Sequence, residues 1–360
     1  MKKILFIAAI FGLLSSTLVA AKNYSKQELE DFIQTEVAHT IKYVVERVGW
    51  NHFLHVPNVT QHEDKFVVRP NSDTLYSMGM LNVEDGYVVI QLPKSDRYMS
   101  MMVYEYDHYL ADDGVINNEQ RPIVIVKKGN PVPDIKNARI IIVKQGIAPV
   151  LIRTLLLGQK DLPKANALQQ SVSIKKVGID NGKESLTPAL TLEKLNEMRQ
   201  FFRSRAGEVS WDEMYVTRSQ PIEIINRAQG VYEGSGALPP SEAKYVSIFK
   251  DTVDNTLNSN VKYALTVPAD IPVKYFWSIT VYDDNGLLIP NTGRVYGANS
   301  KISTPNANGS FTVNFGGCED GELNCVPVGE GNWNMTWRYY GPEGAIADNS
   351  WKHIQPKPVK

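Results

Sequence analysis

Helical spacing of apolar residues marks the first element of the chain. Ser25 and Glu28 have the spacing of a capping box, and apolar residues then recur every three or four positions until Gly49. We predict one long amphipathic helix here, lying against the first β unit. Helical patterns return over residues 191–229. The residues placed to cap or start helices there are Thr191, Ser210 and Pro221.

Short apolar runs between turns make up most of the remaining chain. From residue 66 to residue 152, β-branched and aromatic runs alternate with Asp, Gly and Pro turns, as in antiparallel sandwiches and jelly rolls. The pattern resumes after a Gly- and Pro-rich linker at residues 230–240. The clearest predicted strands are residues 87–92, 97–106, 122–127, 139–144, 244–250, 261–267, 274–282, 310–315 and 332–340. We therefore predict a mainly β protein whose two units could be structural repeats, although no tandem repeat of fixed short period is visible.

Length and charge narrow the class of protein. The 360 residues suit two domains, and a hydrophobic content of 43% is enough for a core. The formal net charge of −1 gives no electrostatic reason to expect nucleic acid or an anionic membrane as a partner. The predicted layout is a signal peptide at 1–21, an N-terminal helix and first sandwich at 22–190, a helical connector at 191–240 and a second sandwich at 241–360.

Residues 1–21 have the composition of a secretory signal peptide. Two lysines precede an apolar run too short to span a bilayer, and small residues fit cleavage after Ala21. An uncleaved anchor is the alternative. Because no later segment reaches about 18 apolar residues, we predict a mature protein that is not membrane-embedded and is periplasmic or secreted.

The chain has two cysteines, Cys318 and Cys325. Export would place them in an oxidising compartment, and the Glu-Asp-Gly sequence between them favours a turn. Two sulfurs without a histidine nearby in sequence make a poor zinc site. We therefore predict a structural disulfide.

The segment from Arg69 to Tyr76 concentrates polar chemistry between two strand-like runs. Arg69 offers a two-pronged donor for a carboxylate or phosphate, and Asp73 offers a general base. Tyr76 would supply a proton, and Asn71 would contact the ligand. In the structural alternative, Arg69 pairs with Asp73, Asn71 holds a turn, and the Tyr76 hydroxyl is bonded internally. The sequence leaves both interpretations open.

A second polar cluster, with Tyr104, Asp107 and His108, follows the next long predicted strand, and Tyr104 and Asp107 would contact the ligand. His52 and His55 lie in the irregular segment after the first helix and would contact the same ligand. If that segment folds over the strand end, either histidine would form a divalent metal site with His108 and a carboxylate. The spacing matches no strict metal motif. The alternative is that these imidazoles face solvent or make single hydrogen bonds.

The two β units resemble two bacterial families of unknown function, and the resemblance covers most of the chain after residue 51. Residues 69–77 and 97–100 resemble the domain of unknown function numbered 1254. The segments that resemble the domain numbered 1214 are residues 276–283, 309–310, 315–318, 324–325, 340–342 and 350–352. The resemblance, to a short exported subgroup, implies a double jelly roll and a homo-oligomer. It implies no settled activity.

Two functional hypotheses follow. As an enzyme, the protein would be a hydrolase or lyase acting on a small anionic or carbohydrate-like substrate in the first sandwich. Asp73 or His108 would then be the base, with Arg69 as anion clamp. As a non-catalytic protein, it would be a carbohydrate-binding module or an oligomeric scaffold. The sequence lacks the nucleophile-elbow, phosphate-loop, dinucleotide and metalloprotease motifs.

Overall fold

The computed structural model describes residues 24–64, 68–179, 186, 188–205, 207–220 and 222–359. The predicted signal peptide therefore lies outside the described residues. Within them the chain is mainly β, as predicted. The helices are α1 (Lys26–Val48), α2 (Leu162–Gln170), α3 (Leu192–Ser204), α4 (Ile224–Gly234) and α5 (Gly344–Ala347), with short 3-10 turns at Gln159–Asp161, Trp211–Glu213 and Cys318–Asp320.

The first sandwich consists of two sheets. Its strands are β1 (Phe53–His55), β2 (Thr74–Asn82), β3 (Tyr87–Gln91), β4 (Met99–Tyr104), β5 (Leu110–Asn117), β6 (Ile123–Lys127), β7 (Arg139–Val143), β8 (Ile147–Leu155) and β9 (Ser173–Val177). Sheet I has the order β1-β2-β8-β4-β5, and sheet II has the order β7-β6-β3-β9. Buried aliphatic side chains from both sheets fill the space between them, including Val88, Ile125, Met101 and Ile152.

The second sandwich is built in the same way. Its strands are β10 (Ala243–Ile248), β11 (Tyr263–Val267), β12 (Val273–Asp283), β13 (Gly297–Asn299), β14 (Phe311–Phe315), β15 (Cys325–Val326), β16 (Trp333–Pro342) and β17 (Lys357–Pro358). Sheet III has the order β10-β16-β12-β13, and sheet IV has the order β15-β14-β11-β17. Its core is aromatic, with Trp277, Trp337 and Phe315 buried between the sheets.

The two sandwiches share one topology. If β1 is set aside, strands β2 to β9 correspond in chain order to β10 to β17. In both, the first and last long strands of the unit pair with each other in one sheet, β2 with β8 and β10 with β16. Both also contain one parallel ladder, β6 with β7 and β14 with β15, in otherwise antiparallel sheets. The two units are therefore structural repeats.

The four sheets stack in the order II, I, III, IV. The outer face of sheet I packs on the outer face of sheet III through a cluster that includes Met102, Leu155, Phe276 and Tyr340. The Phe276 and Tyr340 rings stack with centroids 4.2 Å apart. We call the side chains between sheets I and III the inter-sandwich layer.

Helix α1 starts at a capping box formed by Ser25 and Glu28, as predicted. One part of its apolar face packs on Met80 and Ile147 of sheet I, beside the inter-sandwich layer. Another part packs on α3 and α4, where Phe32 contacts Phe202 with ring centroids 4.8 Å apart. The helices after the first sandwich thus join α1 in one bundle at its side.

Three local predictions differ from the structure. The helix predicted to start at Ser210 is only a 3-10 turn at Trp211–Glu213. A third connector helix was predicted to begin near Pro221, which lies outside the described residues, but α4 begins at Ile224 with Glu223 as its N-terminal flanking residue. Helix α4 also runs to Gly234, into the predicted linker. The apolar spacing after Ile224 explains this, because one face of the helix is buried against α1 and α3.

Cys318 and Cys325 form the predicted disulfide, which closes the turn before β15. Among the described residues, no helix combines the length and apolar character needed to cross a membrane.

Candidate functional site

The polar segment predicted to carry chemistry lies in the inter-sandwich layer. Asp73 sits just before β2 and is 5% exposed. Its carboxylate accepts hydrogen bonds from Ser278 Oγ at 2.6 Å and from Asn299 Nδ2 at 3.1 Å, both from sheet III. Burial raises the pKa of Asp73, an effect that the charge of Arg338 opposes. This carboxylate therefore fastens the first sandwich to the second.

Arg69 also reaches into the second sandwich. Its Nη1 donates to Asn334 Oδ1 at 2.7 Å and to Thr336 Oγ1 at 3.1 Å. Its backbone has a φ of +49°, in the left-handed region that residues other than glycine rarely adopt. Its N–H donates to Gly286 O at 2.8 Å. The guanidinium and the strained backbone both serve contacts between the sandwiches.

Arg338 lies at the centre of sheet III and is buried. Its Nη2 donates to the Arg69 carbonyl at 3.0 Å and to the Tyr282 hydroxyl at 2.7 Å, and Nη1 donates to Thr280 Oγ1 at 2.8 Å. Tyr282 in turn donates to the Pro70 carbonyl at 2.8 Å. Because Arg338 also faces Asp73 electrostatically, its charge is compensated within the layer.

Asn71 and Tyr76 act within the first sandwich. Asn71 Oδ1 accepts from the Asp73 N–H at 2.7 Å, which forms the predicted side-chain turn. Asn71 Nδ2 donates to the Tyr76 hydroxyl at 3.2 Å. The Tyr76 ring lies beside Arg153 of sheet I, whose guanidinium carbon is 5.7 Å from the ring centroid.

The two facing sheets carry the same row of polar residue types in the same spatial order. In each sheet the order is Tyr, Arg, Ser, Asn across four paired strands. The row on sheet I is Tyr76, Arg153, Ser100 and Asn117, and the row on sheet III is Tyr245, Arg338, Ser278 and Asn299. The structural repeat therefore extends to the residues of the inter-sandwich layer.

A carboxylate precedes each row at the same position. Asp73 stands three residues before Tyr76, and Glu242 stands three residues before Tyr245. The Asp73 carbonyl accepts from the Leu156 N–H and the Glu242 carbonyl accepts from the Gly341 N–H, both at 2.8 Å. Glu242 Oε2 accepts from Asn117 Nδ2 at 2.6 Å. Each sandwich thus extends one carboxylate to the asparagine of the other.

We call the row on sheet I with Glu242 the Arg153 half of the layer, and the row on sheet III with Asp73 the Arg338 half. The two halves differ in how many of their buried polar groups have hydrogen-bond partners. Arg153 is 3% exposed, and its Nη2 donates to the Gly236 carbonyl. Its Nη1 has no hydrogen-bond partner, and the buried Ser100 hydroxyl has the Tyr98 hydroxyl as its hydrogen-bonding neighbour. The groups that interact electrostatically with Arg153 include the hydroxyls of Tyr76, Tyr245, Tyr98 and Tyr340. A buried positive charge here faces tyrosines instead of a carboxylate.

His108 lies at the edge of the same half. It is 8% exposed, and its Nε2 accepts from the Gly236 N–H at 3.2 Å and lies 3.3 Å from Ser235 Oγ. Burial lowers the pKa of His108 to about 4; the charge of Arg227 adds to this and Asp107 opposes it. The neutral imidazole of His108 therefore binds the Gly236 N–H, and Arg153 binds the carbonyl of the same residue.

Asp107 and Tyr104 lie next to His108 but point to different partners. Asp107 accepts from Arg218 Nη2 at 2.8 Å. The Tyr104 ring packs 5.2 Å from the His108 ring, and burial raises the pKa of Tyr104 to about 12. Asp107 is thus engaged in an ion pair, and Tyr104 forms part of the inter-sandwich layer.

The stability of the protein is expected to fall between pH 6.5 and about 4 because of His108. Its pKa is lower in the folded protein, so the unfolded chain takes up the proton first and acid favours unfolding. The shift corresponds to about 3 kcal/mol. His108→Asn, which tolerates the φ of +64° at this position, should flatten the decline of unfolding free energy with falling pH.

Urea denaturation of both proteins from pH 7.5 to 4.5 measures this difference. Asp73, with its raised pKa, contributes with the opposite sign but is common to both proteins. Equal slopes in the two proteins would contradict a buried neutral His108.

The structure separates the remaining predicted histidines from this layer. His55 Nδ1 lies 2.8 Å from Ser77 Oγ, and Ser77 follows Tyr76 in β2, so it faces the opposite side of sheet I. His52 is exposed, with Nδ1 2.7 Å from the Trp50 carbonyl. Within the described part of the chain, no three His, Cys, Asp or Glu side chains are grouped to hold a metal ion.

The sequence interpretation missed Arg153, Arg338 and Glu242. One signal was present: the order Pro-x-Ser-acid-x-x-Tyr occurs at Pro70–Tyr76 and again at residues 239–245. The other signal was the presence of Arg153 and of Arg338 within largely apolar strands. A charged side chain in such a strand is costly to bury without a polar partner.

Comparison with known proteins identifies both sandwiches. Residues 50–176 match the family model of the protein of unknown function DUF1254, and residues 242–344 match that of the protein of unknown function DUF1214. No curated protein matches the chain.

Solved structures share the fold. A crystal structure of a Vibrio parahaemolyticus protein is similar with a TM-score of 0.68 at 19% identity, covering 93% of this chain and 99% of that one. An uncharacterised protein from Burkholderia cenocepacia gives a TM-score of 0.50 at 14% identity, covering 92% and 86%. At these identities the likeness concerns the fold alone.

Proposed function

Because the chain joins a DUF1254 unit to a DUF1214 unit, whose descriptions name no activity, we propose its function from its own geometry. We propose that it is an exported, non-catalytic binding protein for a small anionic or carbohydrate-like molecule. The ligand lies in the inter-sandwich layer beside Arg153. The observation that carries this proposal is the buried guanidinium with an unpartnered Nη1, next to the buried hydroxyls of Ser100 and Tyr98, which have each other as neighbours. Such groups are costly to bury unless something bonds them.

The contacts of the predicted catalytic residues favour binding over hydrolase or lyase chemistry. A general base needs to reach the substrate proton, but both oxygens of the Asp73 carboxylate already accept from Ser278 and Asn299. Arg69, the predicted anion clamp, is bonded to Asn334 and Thr336 instead.

Export is supported by the disulfide between Cys318 and Cys325 and by the leader-like sequence of residues 1–21. The predicted homo-oligomer remains part of the proposal as an expectation. The Arg153 half of the layer lies within one chain, so binding there requires no second copy.

A thermal-shift screen tests the binding function. The panel contains small carboxylic acids, phosphate, sulfate, acidic sugars and neutral sugars, each compared with sodium chloride at equal ionic strength. We expect at least one anionic compound to raise the melting temperature by a few degrees, as ligand binding to the folded state requires. NMR of that compound after overnight incubation with the protein should show it unchanged.

Two results would reject the proposal. One is a panel in which no compound exceeds the salt control. The other is consumption of a compound that stops in Asp73→Asn, which would favour the hydrolase or lyase hypothesis.

A further inference from the structure

Comparison of the two halves of the inter-sandwich layer indicates which kind of ligand the Arg153 half would bind. In the Arg338 half, the serine and the asparagine of the row both donate to Asp73. In the Arg153 half, Asn117 donates to Glu242, while the buried Ser100 hydroxyl has the Tyr98 hydroxyl as its neighbour instead of a carboxylate. Ser100 thus lacks the carboxylate acceptor that its counterpart has.

We propose that the ligand of the Arg153 half is a monovalent carboxylate. It accepts from Ser100, Arg153 and Tyr98, and so performs the role that Asp73 has towards Ser278. This inference rests on the proposed binding function and specifies the chemical class of its ligand.

The three donors face one small region. Ser100 and Arg153 are direct partners across β4 and β8, and such partners have Cβ atoms about 5 Å apart. Tyr98 stands two residues before Ser100, on the same side of sheet I. Tyr98 and Arg153 are also electrostatic neighbours. A carboxylate has two oxygens with two lone pairs each, enough to accept from all three groups.

The charges in this half favour a single negative charge. Burial raises the pKa of Tyr98 and of Tyr340, so near neutral pH both are uncharged donors and do not neutralise Arg153. Glu242 already places one carboxylate at Asn117. A phosphate dianion would add two negative charges beside Glu242, whereas a carboxylate adds one.

The segment Ser235–Gly236 bounds the site on one side. The Gly236 carbonyl accepts from Arg153, and its N–H donates to His108. Gly236 has a φ of +84°, and a Cβ there would lie 3.0 Å from a methyl carbon of Leu151. The backbone is thus pressed onto sheet I on this side of Arg153.

Isothermal titration of the purified protein with acetate and glucuronate tests the inference, with acetamide and glucose as neutral counterparts. We expect saturable binding of at least one acid and of neither neutral compound. Arg153→Met should weaken that binding at least tenfold. Ser100→Ala, which removes a buried hydroxyl whose neighbour is the Tyr98 hydroxyl and should fold normally, should weaken it several-fold. Arg121→Met, at an exposed arginine paired with Glu119, should leave binding unchanged.

The outcomes separate this inference from the binding function itself. Tight binding of glucuronate alone supports a carboxylate carried by a sugar, and equal binding of acetate supports a free small acid. Binding that is unaffected by Arg153→Met and Ser100→Ala overturns the inference and the placement of the ligand beside Arg153, but not the binding function. Equal or tighter binding of phosphate or sulfate overturns the carboxylate class. No saturable binding of any anion overturns both, and leaves water as the partner of these donors.

Discussion

Replacing Asp73 with alanine is expected to lower the free energy of unfolding by about 3–5 kcal/mol. The substitution removes the acceptor of Ser278 and Asn299 and leaves the Arg338 charge buried without its opposite charge. Asp73→Asn should cost less, because an amide oxygen still accepts one of the two hydrogen bonds. Urea denaturation, followed by circular dichroism and tryptophan fluorescence, measures both values.

Ser72→Ala is the matched control for this prediction. Ser72 Oγ lies 3.2 Å from Thr280 Oγ1 across the same layer, but neither group is charged. Its loss should cost about 1 kcal/mol or less. If Asp73→Ala proved as mild as Ser72→Ala, the carboxylate would not be the main polar attachment between the sandwiches.

Replacing Arg338 with methionine should destabilise the protein, whereas replacing Arg153 with methionine should not. Arg338→Met is expected to lower the free energy of unfolding by about 3–5 kcal/mol, because it leaves Asp73 as an unpaired buried charge. It also removes donors to Tyr282, Thr280 and a backbone carbonyl. Arg153→Met in ligand-free protein should change stability little or increase it, since no carboxylate depends on Arg153 and one of its nitrogens is unpartnered.

A double-mutant cycle between Asp73 and Arg338 checks the cause of the first effect. The coupling free energy should reach about 1–3 kcal/mol if the two groups stabilise each other. Similar losses of stability for Arg338→Met and Arg153→Met would contradict the difference between the two halves of the layer.

Individual helices and strands could be predicted because capping residues, turn residues and apolar spacing lie within the segment that they specify. The capping box at Ser25 and Glu28 and the apolar spacing after it correctly predicted α1. Most predicted strands overlap the observed ones for the same reason. The parallel pairing of β6 with β7 could not be predicted, since it depends on how the loop between them returns to the sheet.

The candidate site could be predicted only in part. The polar segment was found because Arg69, Asp73 and Tyr76 are adjacent in sequence. The partners of Asp73 lie more than 200 residues away, and no pattern near Asp73 indicates them. His55 was grouped with His108 because sequence distance does not reveal which face of a sheet a side chain occupies.

The matched rows on sheets I and III have a consequence for how this protein can evolve. In a symmetric homodimer, every substitution at the contact appears twice, so both copies of a network change together. Here the two copies are encoded separately within one polypeptide. A substitution at Arg153 leaves the codon for Arg338 untouched. The Arg338 half can therefore be conserved as the contact between the sandwiches while selection changes the Arg153 half to bind a ligand.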